Sequence, residues 1–236
     1  MSKATGGPLS RAFNITDLRD MARRRLPRGF FEYVDRGCED ELLLHRNRDA
    51  FDGLRFCPRA LIDVSARTTA ATFMGQPHDM PAAIAPTAAA GLLWYDGEVA
   101  IAKAAAAANI PFSLSINSST PLERIAKQAG GRLWFQLYVW ADKDLSYQAV
   151  ARARHAGFEG LIVTVDTPVH ANREYNLRNG FGLPFKLSTG ALMDMMRRPR
   201  WLCGVLGRYV VTTGYPKFEN YPAWQRTSVT DAGRVG

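Results

Sequence analysis

Between residues 133 and 174 two apolar runs end in side chains that can hydrogen-bond or carry charge. LWFQLYVW carries Gln136 and Tyr138, and GLIVTVDTPVHANRE carries Thr164 and Asp166, with Arg173 just beyond. In a parallel α/β protein, ligands sit outside the carboxyl ends of the strands, so these positions mark a candidate site. Upstream the pattern recurs, with Pro86-Thr87 after one apolar run and Ser115 and Asn117 after another. Hydroxyls and an amide at four successive strand ends suit hydrogen bonding to the heteroatoms of a planar cofactor. Each taken alone also reads as an ordinary strand end meeting solvent.

Arg173 can grip a substrate carboxylate with a bidentate fork that lysine does not reproduce, or it can be a surface arginine paired with Glu174 or Asp166. Asp166 follows a hydrophobic run and is expected to be partly buried. There it can orient and charge-stabilise a catalytic histidine, or it can simply cap a helix. Tyr33 and Tyr138 can donate to a substrate acid, although aromatic residues on helix and strand faces more often belong to the core. Of the four histidines, His45, His78 and His155 read as surface residues, and His170 lies near the proposed site without a feature that makes it a base. The chain has no phosphate-binding Walker loop, dinucleotide glycine fingerprint, HExxH or nucleophile elbow, which argues against the commonest nucleotide and hydrolase chemistries.

The elements that must position these residues follow from the periodicity. Thr16 is expected to cap a helix over 17–25, Pro27 to open a second with Phe30, Tyr33 and Val34 on one face, and a third to run over 39–51. A small hairpin is expected near 70–73. From residue 82 strands alternate with helices: strands over 82–85, 112–116, 133–139 and 161–165, and helices over 98–108, from 120, and over 142–156. Thr120 with Glu123 forms a capping box for the middle helix, and Gly130-Gly131 ends it. Ile84, Leu114, Phe135 and Val163 mark the strand centres, and their spacing is that of repeated βα units. Four such units are half of a (β/α)₈ barrel, which needs about 250 residues by itself. The expected organisation is a disordered lead over 1–13, helices plus half-barrel over 14–180, a lid or membrane-contact segment over 181–222, and a tail over 223–236.

Composition limits the function classes. The chain has 236 residues, 47% of them hydrophobic and 22% charged, enough for one sizeable core. Its net charge of +8 predicts a surface attractive to anions. Basic residues are dispersed, with no nucleic-acid-binding signature around them, so nucleic acid is not an expected partner. Three cysteines are too few for a disulfide framework. Residues 1–20 lack an apolar export segment and nothing offers about 18 apolar residues for a span, so a cytoplasmic location is expected.

Seven stretches carry a resemblance: LPRGFFEYVDRGCEDE (26–41), NRDAF (47–51), PRALIDVS (58–65), MPAAIAPTA (80–88), IPFSLS (110–115), WFQLYV (134–139) and TVDTPVHANRE (164–174). In order and spacing they resemble the FMN-dependent 2-hydroxy acid dehydrogenases and oxidases, which include glycolate oxidase, L-lactate dehydrogenase and mandelate dehydrogenase. GLLWYDGE (91–98) and the NRE at 172–174 look most like the mandelate and lactate dehydrogenase branch. The resemblance implies a TIM-barrel flavoprotein that oxidises a small 2-hydroxy acid to the 2-oxo acid. In that family the α-hydrogen leaves as a hydride equivalent to FMN while a histidine takes the hydroxyl proton. It implies that Pro86, Thr87 and Ala88 line FMN and that Ser115, Gln136 and Thr164 hydrogen-bond it. It further implies that Tyr33 and Tyr138 contact substrate, Arg173 binds its carboxylate, Asp166 supports the histidine and Asn117 bears on substrate choice. A quinone or another electron acceptor and a homo-oligomer are the implied partners.

The family's second half carries a lysine beside the flavin, a His-Gly-Gly-Arg motif and a glycine-rich phosphate site, none of which occurs in these 236 residues. The expectation is therefore a truncated family member, or one whose frame changes near the tail. The alternative is a non-catalytic half-barrel with no activity of its own. Residues 181–222 match the segment that forms a lid or membrane contact in membrane-associated relatives. Met193, Met195, Met196 and Trp201 beside Arg197, Arg198 and Arg200 suit an interfacial helix on the inner face of the cell membrane, and a mobile solvated lid is the competing expectation.

Overall fold

Short apolar runs rich in β-formers, separated by helix-forming stretches, fold into four parallel strands joined by helical crossovers. The computed structural model describes residues 8–166, 169, 171–181 and 189–222. The chain enters through three helices, α1 (Ile15–Arg25), α2 (Arg28–Asp35) and α3 (Leu42–Asp52). A two-stranded hairpin, β1 (Ala71–Phe73) and β2 (Gln76–His78), precedes the sheet. The main sheet has the order β3-β4-β5-β6, formed by Ile84–Thr87, Phe112–Ser115, Leu133–Tyr138 and Gly160–Thr164, with every pairing parallel. Between the strands run α4 (Gly97–Ala107), α5 (Leu122–Ala129) and α6 (Lys143–His155), and α7 (Glu174–Arg178) comes after β6.

The pleat sorts the strand residues onto two faces. Phe112, Leu114, Phe135 and Leu137 turn toward the crossover helices and meet Ala102 and Ala105 of α4, Leu122 and Ile125 of α5, and Ala149 and Ala153 of α6 in one buried cluster. Alanine on α4 lets its backbone lie close to the sheet, and it is also the best helix former. The opposite face carries Ser113, Ser115, Trp134, Gln136, Ile162 and Thr164. Polar residues are thus kept together on the surface that faces away from the helices.

A second cluster joins distant parts of the chain. Leu26, Phe30 and Phe31 from the first two helices pack with Phe181, Met195, Trp201, Val205 and Tyr209. The last four belong to α8 (Thr189–Met196) and to a helix comprising α9 (Pro199–Trp201), a π-helical stretch Leu202–Gly207 and α10 (Arg208–Thr212). Trp201, 2% exposed, donates its indole N–H to the Leu92 carbonyl at 2.8 Å. Arg198 donates to the Arg24 carbonyl at 2.8 Å, and Asp194 accepts from the Arg28 backbone N–H at 2.5 Å.

Several local expectations are corrected. Asn14, not Thr16, caps α1, its Oδ1 accepting from Asp17 N at 2.8 Å. Thr120 forms no capping box, because its hydroxyl is drawn to a buried carboxylate, Glu98, while Glu123 pairs with Arg152. Strand β3 begins two residues later than expected. His78 is 1% exposed rather than a surface residue, since its hairpin folds over it and Phe73 packs on its ring. Met195 and Trp201, expected on an interfacial helix, are buried in the second cluster instead, which docks this segment on the first two helices.

Candidate functional site

The strands of the main sheet end together, and their polar termini form a row. Ser115 Oγ donates to Gln136 Oε1 at 3.0 Å, and Gln136 Nε2 donates to Thr164 Oγ1 at 2.9 Å. Register explains the first contact directly, since Ser115 and Gln136 are paired across β4 and β5. Thr164 lies opposite Tyr138, one pleat beyond Gln136, so a long amide is needed to reach it. Ser115 and Gln136 are buried. An unmet amide there would cost about 1–3 kcal/mol. Gly160 sits opposite Trp134, and a Cβ on it would lie 2.5 Å from the indole, so the glycine leaves room for Trp134 on the same face as Gln136.

At the end of β3, Pro86 is half-buried and Thr87 exposed. The pairing of β3 with β4 shifts register between Ile84 and Thr87. A proline without an N–H is tolerated at such an irregularity on an outer strand. Ala88 follows and lines an apolar recess of about 30 Å³ with Phe30, Tyr33, Val34, Leu92 and Phe181. Arg173 lies against Tyr33, donating Nη1 to its carbonyl at 3.0 Å, with the guanidinium carbon 5.2 Å from the ring centroid. One edge of the guanidinium, Nε with Nη2, makes no hydrogen bond to a described residue, and among these residues Arg173 pairs with neither Glu174 nor Asp166.

The sequence-derived candidates therefore fall into two groups. Ser115, Gln136 and Thr164 form one row, while Tyr33, Ala88 and Arg173 gather beside one recess. Tyr138 and Asp166 make no side-chain hydrogen bond to a described residue. Asp166 is exposed, against the expectation of partial burial, because no described element packs beyond β6. His170 lies outside the described residues.

Residues that sequence reasoning missed surround the first turn of α4. Glu98 is 1% exposed and accepts from Ser119 N, Ser119 Oγ and Thr120 Oγ1 at 3.2, 3.0 and 3.1 Å. Its place in the first turn also sets a negative charge at the positive end of the helix. Tyr209 accepts from the Asp96 backbone N–H at 3.2 Å. Burial pushes the Tyr209 phenol up to about 12, with the charges of Glu98 and Asp96 adding to the shift. Gly91 admits this cluster, since a Cβ there would lie 2.2 Å from Ser119 Oγ and 2.6 Å from the Tyr209 oxygen. The visible signals were an acid directly after a glycine at a helix start and three hydroxyl residues, 118–120, in an apolar context.

The row fits a flavin by its donor chemistry. Gln136 has a second amide hydrogen and Thr164 has its hydroxyl hydrogen, neither given to another described residue, so both suit the acceptor atoms of a flat heteroaromatic ring. Parallel βα units with donors massed at the strands' carboxyl ends define a cofactor-binding α/β enzyme scaffold. The pattern of FMN-dependent dehydrogenases matches residues 22–232, and the chain belongs to that family. It is 38% identical over 217 residues to (S)-mandelate dehydrogenase of Pseudomonas putida, covering 92% of this chain and 54% of that protein. It is 41% identical over 220 residues to a putative L-lactate dehydrogenase of Mycobacterium tuberculosis, covering 93% and 52%. Its structure resembles the crystal structure of the monotopic membrane protein (S)-mandelate dehydrogenase, with a TM-score of 0.83 at 37% identity, over 93% of this chain and 57% of that one. The chain spans about half the length of the curated relatives it matches.

Proposed function

We propose that this chain supplies the flavin-facing and carboxylate-binding side of an FMN-dependent oxidation of a small 2-hydroxy acid, of mandelate or L-lactate type, to the 2-oxo acid. The observation that carries this reading is the row Ser115–Gln136–Thr164, with two donor hydrogens left for a ligand. FMN, when bound, supplies the acceptor for the substrate's α-hydrogen. Ser115, Gln136 and Thr164 would hold its ring by hydrogen bonds, and Pro86, Thr87 and Ala88 would line it. Arg173, with Nη1 committed to Tyr33, would offer the Nε and Nη2 edge to the substrate carboxylate. Tyr33 and Tyr138 would contact substrate. Asp166 would orient and charge-stabilise the family histidine that takes the hydroxyl proton.

A membrane surface and a quinone or other acceptor are proposed as partners. Support comes from the segment from α8 to α10, where Leu192, Met193, Met196, Val210 and Val211 are exposed and so are Arg197, Arg200 and Arg208. Exposed apolar side chains and arginines in one segment suit the boundary of an anionic bilayer. Among the described residues no helix is long and apolar enough to cross a membrane.

FMN titration of the chain, followed by quenching of flavin fluorescence, tests the reading. Gln136→Ala is expected to weaken FMN about tenfold or more, as loss of buried hydrogen bonds to a ligand does. Absence of quenching by the unaltered chain would overturn the proposal. It would favour the second reading, a non-catalytic half-barrel, which the open sides of β3 and β6 support: among the described residues each pairs with one strand only.

A further inference from the structure

The donor row does not end at Ser115. The backbone N–H of Asn117 donates to Ser115 Oγ at 3.2 Å, and Asn117 Oδ1 accepts from the Tyr221 hydroxyl at 2.7 Å. Tyr221 lies 104 residues further along the chain, beyond α10. Its neighbours hold the same loop after β4. Asn220 Oδ1 accepts from Leu122 N at 2.9 Å, Asn220 Nδ2 donates to the Thr120 carbonyl at 3.2 Å, and Glu219 N donates to the Ser118 carbonyl at 3.2 Å. Three consecutive residues thus grip the loop that leads out of the row.

The Tyr221 ring is fixed from two sides, with its centroid 5.3 Å from that of Trp140 and 6.0 Å from that of Phe218. Burial raises the pKa of its phenol, against the lowering effect of a hydrogen bond with Trp140, so the hydroxyl keeps its hydrogen. Donor counting then sets a direction along the chain of bonds. With the Asn117 N–H on Ser115 Oγ, the Ser115 hydrogen is directed at Gln136 Oε1. That turns the Gln136 amide so that its NH₂ faces Thr164. Thr164 Oγ1 accepts, which leaves its own hydrogen directed away from the row. Bonds aligned in one direction polarise one another.

We propose that Tyr221 is a positioning residue for this row: by holding Asn117 it sets which atoms of Gln136 and Thr164 are presented as donors to the cofactor. The inference rests on the flavin reading given above. It makes the cofactor site dependent on the docking of the segment that carries Trp201, Tyr209 and Tyr221.

Nuclear magnetic resonance of the ¹⁵N-labelled chain without FMN tests the coupling, the Gln136 side-chain amide being identified by its loss in Gln136→Ala. Tyr221→Phe keeps both ring contacts and is expected to shift that amide and to speed its exchange with water severalfold. Asn117→Ala, which removes the acceptor instead of the donor, is expected to shift it likewise. FMN should bind Tyr221→Phe about threefold to tenfold more weakly than the unaltered chain, the effect of one net hydrogen bond. A Gln136 amide unmoved by Tyr221→Phe overturns the proposal, whatever FMN does. An amide that moves while Gln136→Ala leaves FMN binding unchanged upholds the Tyr221 coupling and overturns the flavin assignment of the row.

Discussion

Gly160 shows how one missing side chain shapes the site. Trp134 fills the space a Cβ would take, and Gln136, two residues along the same face, stands beside it. Gly160→Ala would force the indole to move, so an overpacking cost of about 1–3 kcal/mol is expected in denaturant unfolding. FMN affinity should fall as well, because the displaced ring crowds Gln136. An unfolding midpoint equal to that of the unaltered chain would remove this account. Ser115, Gln136 and Thr164 were legible in the sequence because a polar residue at the end of an apolar strand contradicts its surroundings. Glu98 was not, because a buried carboxylate looks like any first-turn acid until its partners, 21 and 22 residues away, are known. His78 failed for a similar reason: a loop-like sequence gives no sign that a hairpin will close over the ring.

At the scale of elements, the four strands and their crossover helices could be read within two residues of their ends, since each is defined by local periodicity. The docking of the segment from α8 to α10 could not, because what orders it lies at the other end of the chain. Arg198 meets Arg24 across 174 residues, and Asp194 meets Arg28 across 166. No local pattern distinguishes a methionine or tryptophan waiting for such partners from one waiting for lipid. Tyr209 offers a pH test of this docking. Its phenol, raised from 10 to about 12, is held protonated in the folded protein. The stabilisation is therefore fully present below pH 10 and is lost as pH rises toward 12. The stability advantage of the unaltered chain over Tyr209→Phe is expected to shrink across that window by about 2 kcal/mol, in unfolding curves taken at several pH values. An advantage that stays constant would show that the Tyr209 hydroxyl does not titrate with folding.

For the whole molecule, the net charge of +8 is distributed unevenly in its consequences. Ion pairs engage Arg19, Arg28, Arg36, Arg124, Arg132, Arg152 and Arg178. Among the described residues no carboxylate pairs with Arg197, Arg200 or Arg208. The last of these stacks on Tyr95, its guanidinium carbon 4.0 Å from the ring centroid. Arginines with no carboxylate partner among the described residues, in the segment that also exposes Met193 and Met196, make it the part of the surface best suited to the proposed membrane contact. Each arginine near an anionic surface contributes about 1 kcal/mol, so three would favour it by roughly a hundredfold. The chain is accordingly expected to sediment with vesicles rich in phosphatidylglycerol and to remain in solution with phosphatidylcholine alone. Replacing Arg197, Arg200 and Arg208 with glutamine should remove most of that binding, and raising the salt concentration should do the same. Met193→Ser with Met196→Ser should weaken it while leaving the salt dependence in place, because those side chains act through apolar burial and not through charge. Equal sedimentation with both lipids would refute an electrostatic membrane contact by this segment.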